Sequence, residues 1–193
     1  MFRFLSARSR PPTHQWLSTG ILFLGTLFLA PRPMPPANAV EFPNGQIAFD
    51  RPPRLIRTTS SFKHHRSSAS VYHFILEVPA DAGEPLKVVE IEQPDRSLET
   101  IVFQPEATRA FLGNKFKGGP ELSLAEVGGT TAPGKVTVVF ETPVPPGSTV
   151  TVSIKPERNP FRGGVYLFEI TAFPAGEDSL GQSLGYGRFH IYD

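Results

Sequence analysis

From Val40 onward, apolar and polar residues alternate along much of the chain with a period of two. In Ser70–Pro79 the residues Tyr72, Phe74, Leu76 and Val78 share one face, with His73 and Glu77 on the other. In Gly134–Thr142 the apolar set is Val136, Val138 and Phe140. In Gly147–Pro156 it is Val150, Val152 and Ile154, with Thr149, Thr151, Ser153 and Lys155 opposite. Successive side chains of a strand point to opposite faces, so this alternation predicts half-buried antiparallel strands. Further strands are expected at Arg54–Thr59, Leu86–Glu92, Leu98–Phe103, Val165–Phe173 and Arg188–Tyr192, while Leu122–Val127 suits either another strand or part of a long connection. Thr-Pro-Val-Pro-Pro-Gly (142–147) joins two of the runs and predicts a hairpin with a proline-stiffened turn. Pro105–Leu112 (PEATRAFL) is the one helix-like stretch. It opens with Pro and Glu, suits a turn or two, and ends at Gly113-Asn114.

About eight or nine short strands and one short helical turn predict an all-β fold, an antiparallel two-sheet β-sandwich of immunoglobulin-like type. The segment Asn159–Phe168 refines this expectation. Asn159-Pro160 opens a tight turn, and Gly164-x-Tyr166-x-Phe168 then enters a strand, in the manner of a tyrosine corner. In that pattern the Tyr hydroxyl bonds to upstream backbone, and Phe168 stands where an antibody domain has its cysteine. Asn159, Pro160, Gly164 and Tyr166 are therefore read as a structural turn.

The first thirty-nine residues follow a different pattern. Arg3, Arg8 and Arg10 precede an apolar run from Trp16 to Ala30, no acid occurs before Glu41, and Ala37-Asn38-Ala39 supplies small residues for cleavage. These are the features of a secretory signal peptide over residues 1–39. About fifteen apolar residues are too few for a comfortable permanent span, which needs roughly twenty. Residues 40–193 are then expected to be a single exported β-sandwich domain with no transmembrane segment after cleavage. The expected location is the periplasm or cell envelope, or the extracellular space. The chain has no cysteine, which removes disulfides, thiolate metal sites and cysteine nucleophiles.

Removing the leader also changes the charge. Four of the nineteen basic residues lie within it, leaving fifteen against eighteen acidic ones. That balance gives nucleic-acid binding little support. The cations are unevenly placed: Arg51, Arg54, Arg57, Lys63 and Arg66 occur without an intervening acid. This segment is the expected contact for an envelope protein, a glycan or an anionic surface. Lysines and arginines also guard an exposed edge strand against aggregation, and the segment suits that role too.

His64, His65 and His73 are the candidate metal ligands, since neutral imidazoles suit zinc or copper. Adjacent histidines on a strand point apart, so a shared ion would require a loop. There is no G-x-S-x-G nucleophile turn, no phosphate-binding glycine loop leading into a helix, and no carboxylate pair clear of ordinary strand alternation. No enzyme activity and no cofactor are expected. A cell-wall glycan-binding module is a further alternative, although the sole tryptophan, Trp16, leaves with the leader.

Several stretches in order resemble a family. They are Val40-Glu41-Phe42-Pro43, Val71-Tyr72-His73-Phe74 leading to Val78-Pro79, and Gly83-Glu84-Pro85-Leu86. Pro143-Val144-Pro145-Pro146-Gly147, Asn159-Pro160 with Gly164-x-Tyr166-x-Phe168, and Leu184-Gly185-Tyr186-Gly187-Arg188 continue the series. Together they are similar to an exported, mainly cyanobacterial family known as domain of unknown function 2808, across roughly residues 42 to 190. The resemblance implies an exported all-β domain without assigned catalytic residues. The expected function is binding or structural support in the bacterial cell envelope.

Overall fold

A computed structural model describes residues 40–41, 45–94, 97–114, 119–127 and 132–193. The expected signal peptide, residues 1–39, lies outside the described residues. Twelve strands occur among the described ones: β1 Val40–Glu41, β2 Ile47–Ala48, β3 Arg54–Ser60, β4 Tyr72–Glu77, β5 Leu86–Glu92 and β6 Phe103–Leu112. They continue as β7 Glu121–Leu122, β8 Leu124–Val127, β9 Lys135–Val144, β10 Thr149–Pro156, β11 Gly164–Pro174 and β12 Gln182–Ile191. One five-stranded sheet runs β3-β4-β10-β6-β7, the other runs β12-β11-β5-β9-β8, and β1 and β2 form a small ribbon. Every pairing between named strands is antiparallel. The chain is a two-sheet β-sandwich.

The inward faces follow the alternation in the sequence. Tyr72, Phe74 and Leu76 on β4 and Val150, Val152 and Ile154 on β10 are buried. They face Val136, Val138 and Phe140 on β9 and Tyr166, Phe168 and Ile170 on β11, all within one core. Rings carry the centre of it. Tyr72 stacks on Phe189 at 4.5 Å, and Phe168 meets Tyr72, Phe74 and Phe189 edge-on at 6.0, 6.0 and 5.6 Å. Phe168 on one sheet thus reaches Tyr72 and Phe74 on the other by packing, in a chain that has no disulfide to join them. Each such ring pair adds about 0.5–1.5 kcal/mol beyond burial of its area.

Both lateral sides of the sandwich are drawn together. On one, Thr58 Oγ1 of β3 donates to Arg188 O at 3.0 Å and accepts from Arg188 N at 3.1 Å, joining the edges of the two sheets. The approach is close enough that a Cβ at Gly187 would come within 2.6 Å of Thr58 Cγ2. On the other, the chain leaves the first sheet after β7 and enters the second at β8, turning at Ser123, whose carbonyl accepts from Glu141 N at 2.9 Å.

Four local expectations need correction. PEATRAFL is not a helical turn but most of β6, and no helix occurs among the described residues. Its good helix formers are overridden by pairing with β10, where Ala110 faces Val152 and is fully buried. Pro105 fits because the register jumps from Ser153–Arg109 to Lys155–Gln104, placing 105–108 in a bulge where a missing N–H breaks no ladder.

The proline-rich 142–147 run does not close a hairpin, since β9 and β10 belong to different sheets and the run crosses between them. Before Phe103, the stretch 98–102 is a loop, held by the Gln93 side chain instead of a neighbouring strand. Gln93 Oε1 accepts from Ile101 N at 2.6 Å, and its Nε2 donates to Glu99 O at 3.2 Å. The last strand begins at Gln182 instead of Arg188, because Gly185 takes a φ of 88° at a bulge where β12 carries an extra residue opposite β11.

Candidate functional site

The loop between β3 and β4, residues 61–71, carries Phe62, Lys63, His64, His65 and Arg66. Its ends close on themselves: Ser61 N donates to Val71 O at 3.0 Å, and Val71 N donates to Ser61 Oγ at 2.9 Å. One fully buried side chain anchors the middle. Asn159 Oδ1 accepts from Tyr72 Oη at 2.9 Å, while Nδ2 donates to Phe62 O at 3.1 Å and His64 O at 2.8 Å. Its backbone N–H donates to Ser67 O at 2.8 Å. A primary amide presents an acceptor and two donors together, which is what two loop carbonyls and a buried phenol require. Burial pushes the Tyr72 hydroxyl well above its ordinary value, so it remains a neutral donor.

The chain terminus and the 157–163 turn complete this end of the sandwich. His65 N donates to Tyr192 O at 2.8 Å, Tyr192 N to Lys63 O at 2.7 Å, and Arg66 N to Pro160 O at 3.0 Å. Phe161 N is held by Glu99 Oε2 at 2.8 Å and Gly163 N by Asp193 Oδ1 at 2.7 Å. Tyr166 Oη donates to Arg162 O at 2.9 Å, and burial raises its pKa as well.

This framework fixes a basic and aromatic surface. Arg66 has a φ of 58° and is the only non-glycine with positive φ among the described residues. Its guanidinium lies over the Phe161 ring at 5.5 Å, and that of Arg158 lies over the same ring at 4.9 Å. Phe161 is 46% exposed, and Phe62 in the 61–71 loop and Tyr192 just after β12 are exposed as well. A groove of about 370 Å³ runs beside them, lined by Arg66, Ser68, Gln104, Glu157 and Arg158.

The structure gathers only part of the cationic segment into this surface. Arg66 lies within it, and Lys63 belongs to the same loop. Arg51 and Arg54 pair with Asp81 and Glu77, each at 2.9 Å, around the opposite end of β3. Six residue steps along β3 take the chain from Arg54 to Ser60, roughly 20 Å at the usual rise. Arg57 is exposed midway along β3. Arg158 and Phe161 escaped the sequence reading, although an apolar ring directly after Asn159-Pro160 in a tight turn was a visible signal.

The three histidines are not brought to one point. His64 bridges to Tyr192, and His65 Nδ1 lies 3.3 Å from Tyr192 O and 3.9 Å from the Asp193 carboxylate. His73 sits on the outward face of β4, 8% exposed, with Nδ1 2.8 Å from Ser153 Oγ. Among the described residues, no group of three or more His, Asp or Glu residues could hold a metal ion. The Ser153–His73 distance would suit a nucleophile and its base. Both side chains are buried, however, and neither lines the groove beside Arg66 and Arg158. Burial lowers the His73 pKa to about 4, leaving it uncharged at neutral pH.

A family model described as "Protein of unknown function (DUF2808)" matches residues 46–191. No curated protein matches the chain. Among solved structures, a DUF4466 family protein from Parabacteroides merdae is similar at 10% identity and a TM-score of 0.46, over 72% of this chain and 44% of that one. The C-terminal domain of the Streptococcus pyogenes antigen I/II-family protein AspA gives 11% identity and 0.40, over 70% and 47%. The collagen-binding domain from a Staphylococcus aureus adhesin gives 6% and 0.39, over 71% and 96%. The chain spans less than half the length of the first two.

Two outcomes follow from the buried polar groups. Asn159→Ala leaves the buried Tyr72 hydroxyl without a partner, removes the donor to His64 O and leaves Phe62 O with Ser70 Oγ alone, and should lower unfolding free energy by roughly 3 kcal/mol in urea titration. A loss well below 1 kcal/mol would contradict the anchoring role. His73 acts through pH. Between about pH 6.5 and 4 the unfolded chain binds a proton that the folded imidazole refuses, so stability falls as pH falls through that window. The deficit approaches roughly 3 kcal/mol at its acid end. Stability curves of the wild type and His73→Gln should differ by a constant amount above neutrality and change relative to each other below it. Curves that stay parallel down to pH 4 would remove the effect.

Proposed function

The chain belongs to the DUF2808 family of proteins of unknown function, and we propose for it a binding role without catalysis, as an exported domain of the bacterial cell envelope. In this reading the loop end carrying Arg66, Arg158 and Phe161 grips phosphate or carboxylate groups on an anionic envelope surface. The observation that carries the reading is Arg66. A side chain in the left-handed region costs roughly 1 kcal/mol, and glycine would relieve it. The fold keeps an arginine there, bonds its N–H to Pro160 O, and sets the guanidinium over an exposed ring shared with Arg158. Planar guanidiniums pair with carboxylate and phosphate in two-pronged fashion, and exposed aromatics beside them add apolar contact. The leader-like first thirty-nine residues support export.

Co-sedimentation of the purified protein with isolated cell envelopes tests the proposal. Each basic side chain near an anionic surface contributes about 1 kcal/mol, so Arg66→Glu with Arg158→Glu should cut retention by about tenfold or more. High ionic strength should release the wild type similarly. Retention by the folded double variant equal to wild type would refute the reading.

A further inference from the structure

The side of the sandwich formed by β7 and β8 holds a second feature, independent of the loop end. β7 pairs with β6 only at Ala110 and Phe111, so along 103–109 the outer edge of β6 has no neighbouring strand among the described residues. β8 is the edge of the other sheet and pairs only with β9. Between these edges lies an open groove of about 700 Å³ with Leu122, Leu124 and Val127 among its lining residues and Glu106, Thr108 and Arg109 on the β6 side. That volume is in the range of ligand-holding clefts.

Two observations indicate what the groove takes. Thr108 is 2% exposed, lines the groove, and its Oγ1 has no hydrogen-bond partner. A buried hydroxyl without a partner is a cost that a bound polar group would remove. On the β6 side, Arg109 Nη1 donates to Glu106 O at 2.9 Å and to Thr108 O at 2.7 Å, so two of the four carbonyls of the bulge are already occupied, and Pro105 has no N–H to offer a strand. That leaves β8 as the edge able to accept a strand. At the rim, Glu121 faces Arg109 at 3.4 Å, and Glu106 gives the lining a surplus of one negative charge.

We propose that this groove binds an extended peptide segment of a partner, added as a strand to β8. A backbone or side-chain polar group reaches Thr108 Oγ1, apolar side chains lie on Leu122, Leu124 and Val127, and a lysine or arginine faces Glu106. β8 is four residues long, which sets the paired length. Strand addition takes affinity from main-chain hydrogen bonds and selectivity from alternate side chains, so the partner needs alternating apolar and basic residues more than a fixed sequence.

The probe is a capped synthetic peptide of alternating valine and lysine, titrated into the full-length protein and followed by amide chemical shifts. Expected are shifts confined to Leu124–Val127, Thr108 and their neighbours, and at least tenfold weaker binding when a central valine is replaced by proline. Thr108→Val supplies the second arm. It should leave the free protein as stable or more stable while weakening the peptide severalfold, a combination that a purely structural threonine does not give. Shifts elsewhere, equal affinity for the proline peptide, or unchanged binding by Thr108→Val would overturn the proposal. So would a concentration-dependent dimer whose contacts map to β8, which would assign the groove to a second copy of the chain.

Discussion

Asn159 brings together parts of the chain that have little sequence proximity. Its partners Tyr72, Phe62 and His64 lie 87 to 97 residues away, yet all converge on one buried amide. The Tyr72 ring is also stacked on Phe189 in the core, so the hydrogen bond couples the centre of the sandwich to the loop at its end. An amide that satisfies a buried phenol and two loop carbonyls is strongly specified, because an apolar replacement would leave the Tyr72 hydroxyl buried without a partner and the loop without its anchor. The orientation of Arg66 and Phe161 depends on it, since Arg66 and Phe161 lie next to backbone that Asn159 and Pro160 fix.

The core has to manage without covalent reinforcement. Packing of Tyr72, Phe74, Phe103, Phe168 and Phe189 joins the two sheets, with edge-on geometry favoured by the charge distribution of aromatic rings. Side-chain hydrogen bonding from Thr58 to Arg188 then draws together two strand edges that would otherwise invite pairing with other chains. The opposite side is only partly closed, by the turn at Ser123, and this is where the groove and the unpartnered Thr108 hydroxyl occur.

Much of the sandwich was legible because burial imposes a period of two, and Val136, Val138, Phe140, Val150, Val152 and Ile154 all point inward as their spacing implies. The failures share a cause. PEATRAFL has the local chemistry of a helix, and only pairing with β10 makes it a strand. The 142–147 prolines mark a reversal, but whether the next strand joins the same sheet depends on contacts far away in sequence. The site was legible in fragments for the same reason. The cations of 51–66 were visible, yet their division between ion pairs at one end and a surface at the other follows from the direction of β3. Arg158 joins Arg66 at the shared ring of Phe161 and the groove beside it, which only the folded chain brings together.

Binding at the loop end depends on preorganisation, with cations held before any partner arrives. Backbone hydrogen exchange tests this directly, because a clamped loop and a mobile one differ in opening free energy. The amides of His65, Arg66 and Tyr192 should be protected to a degree comparable with the central strand β10. Exchange at the rate of an unstructured peptide at those three amides, with β10 still protected, would contradict a preorganised loop end.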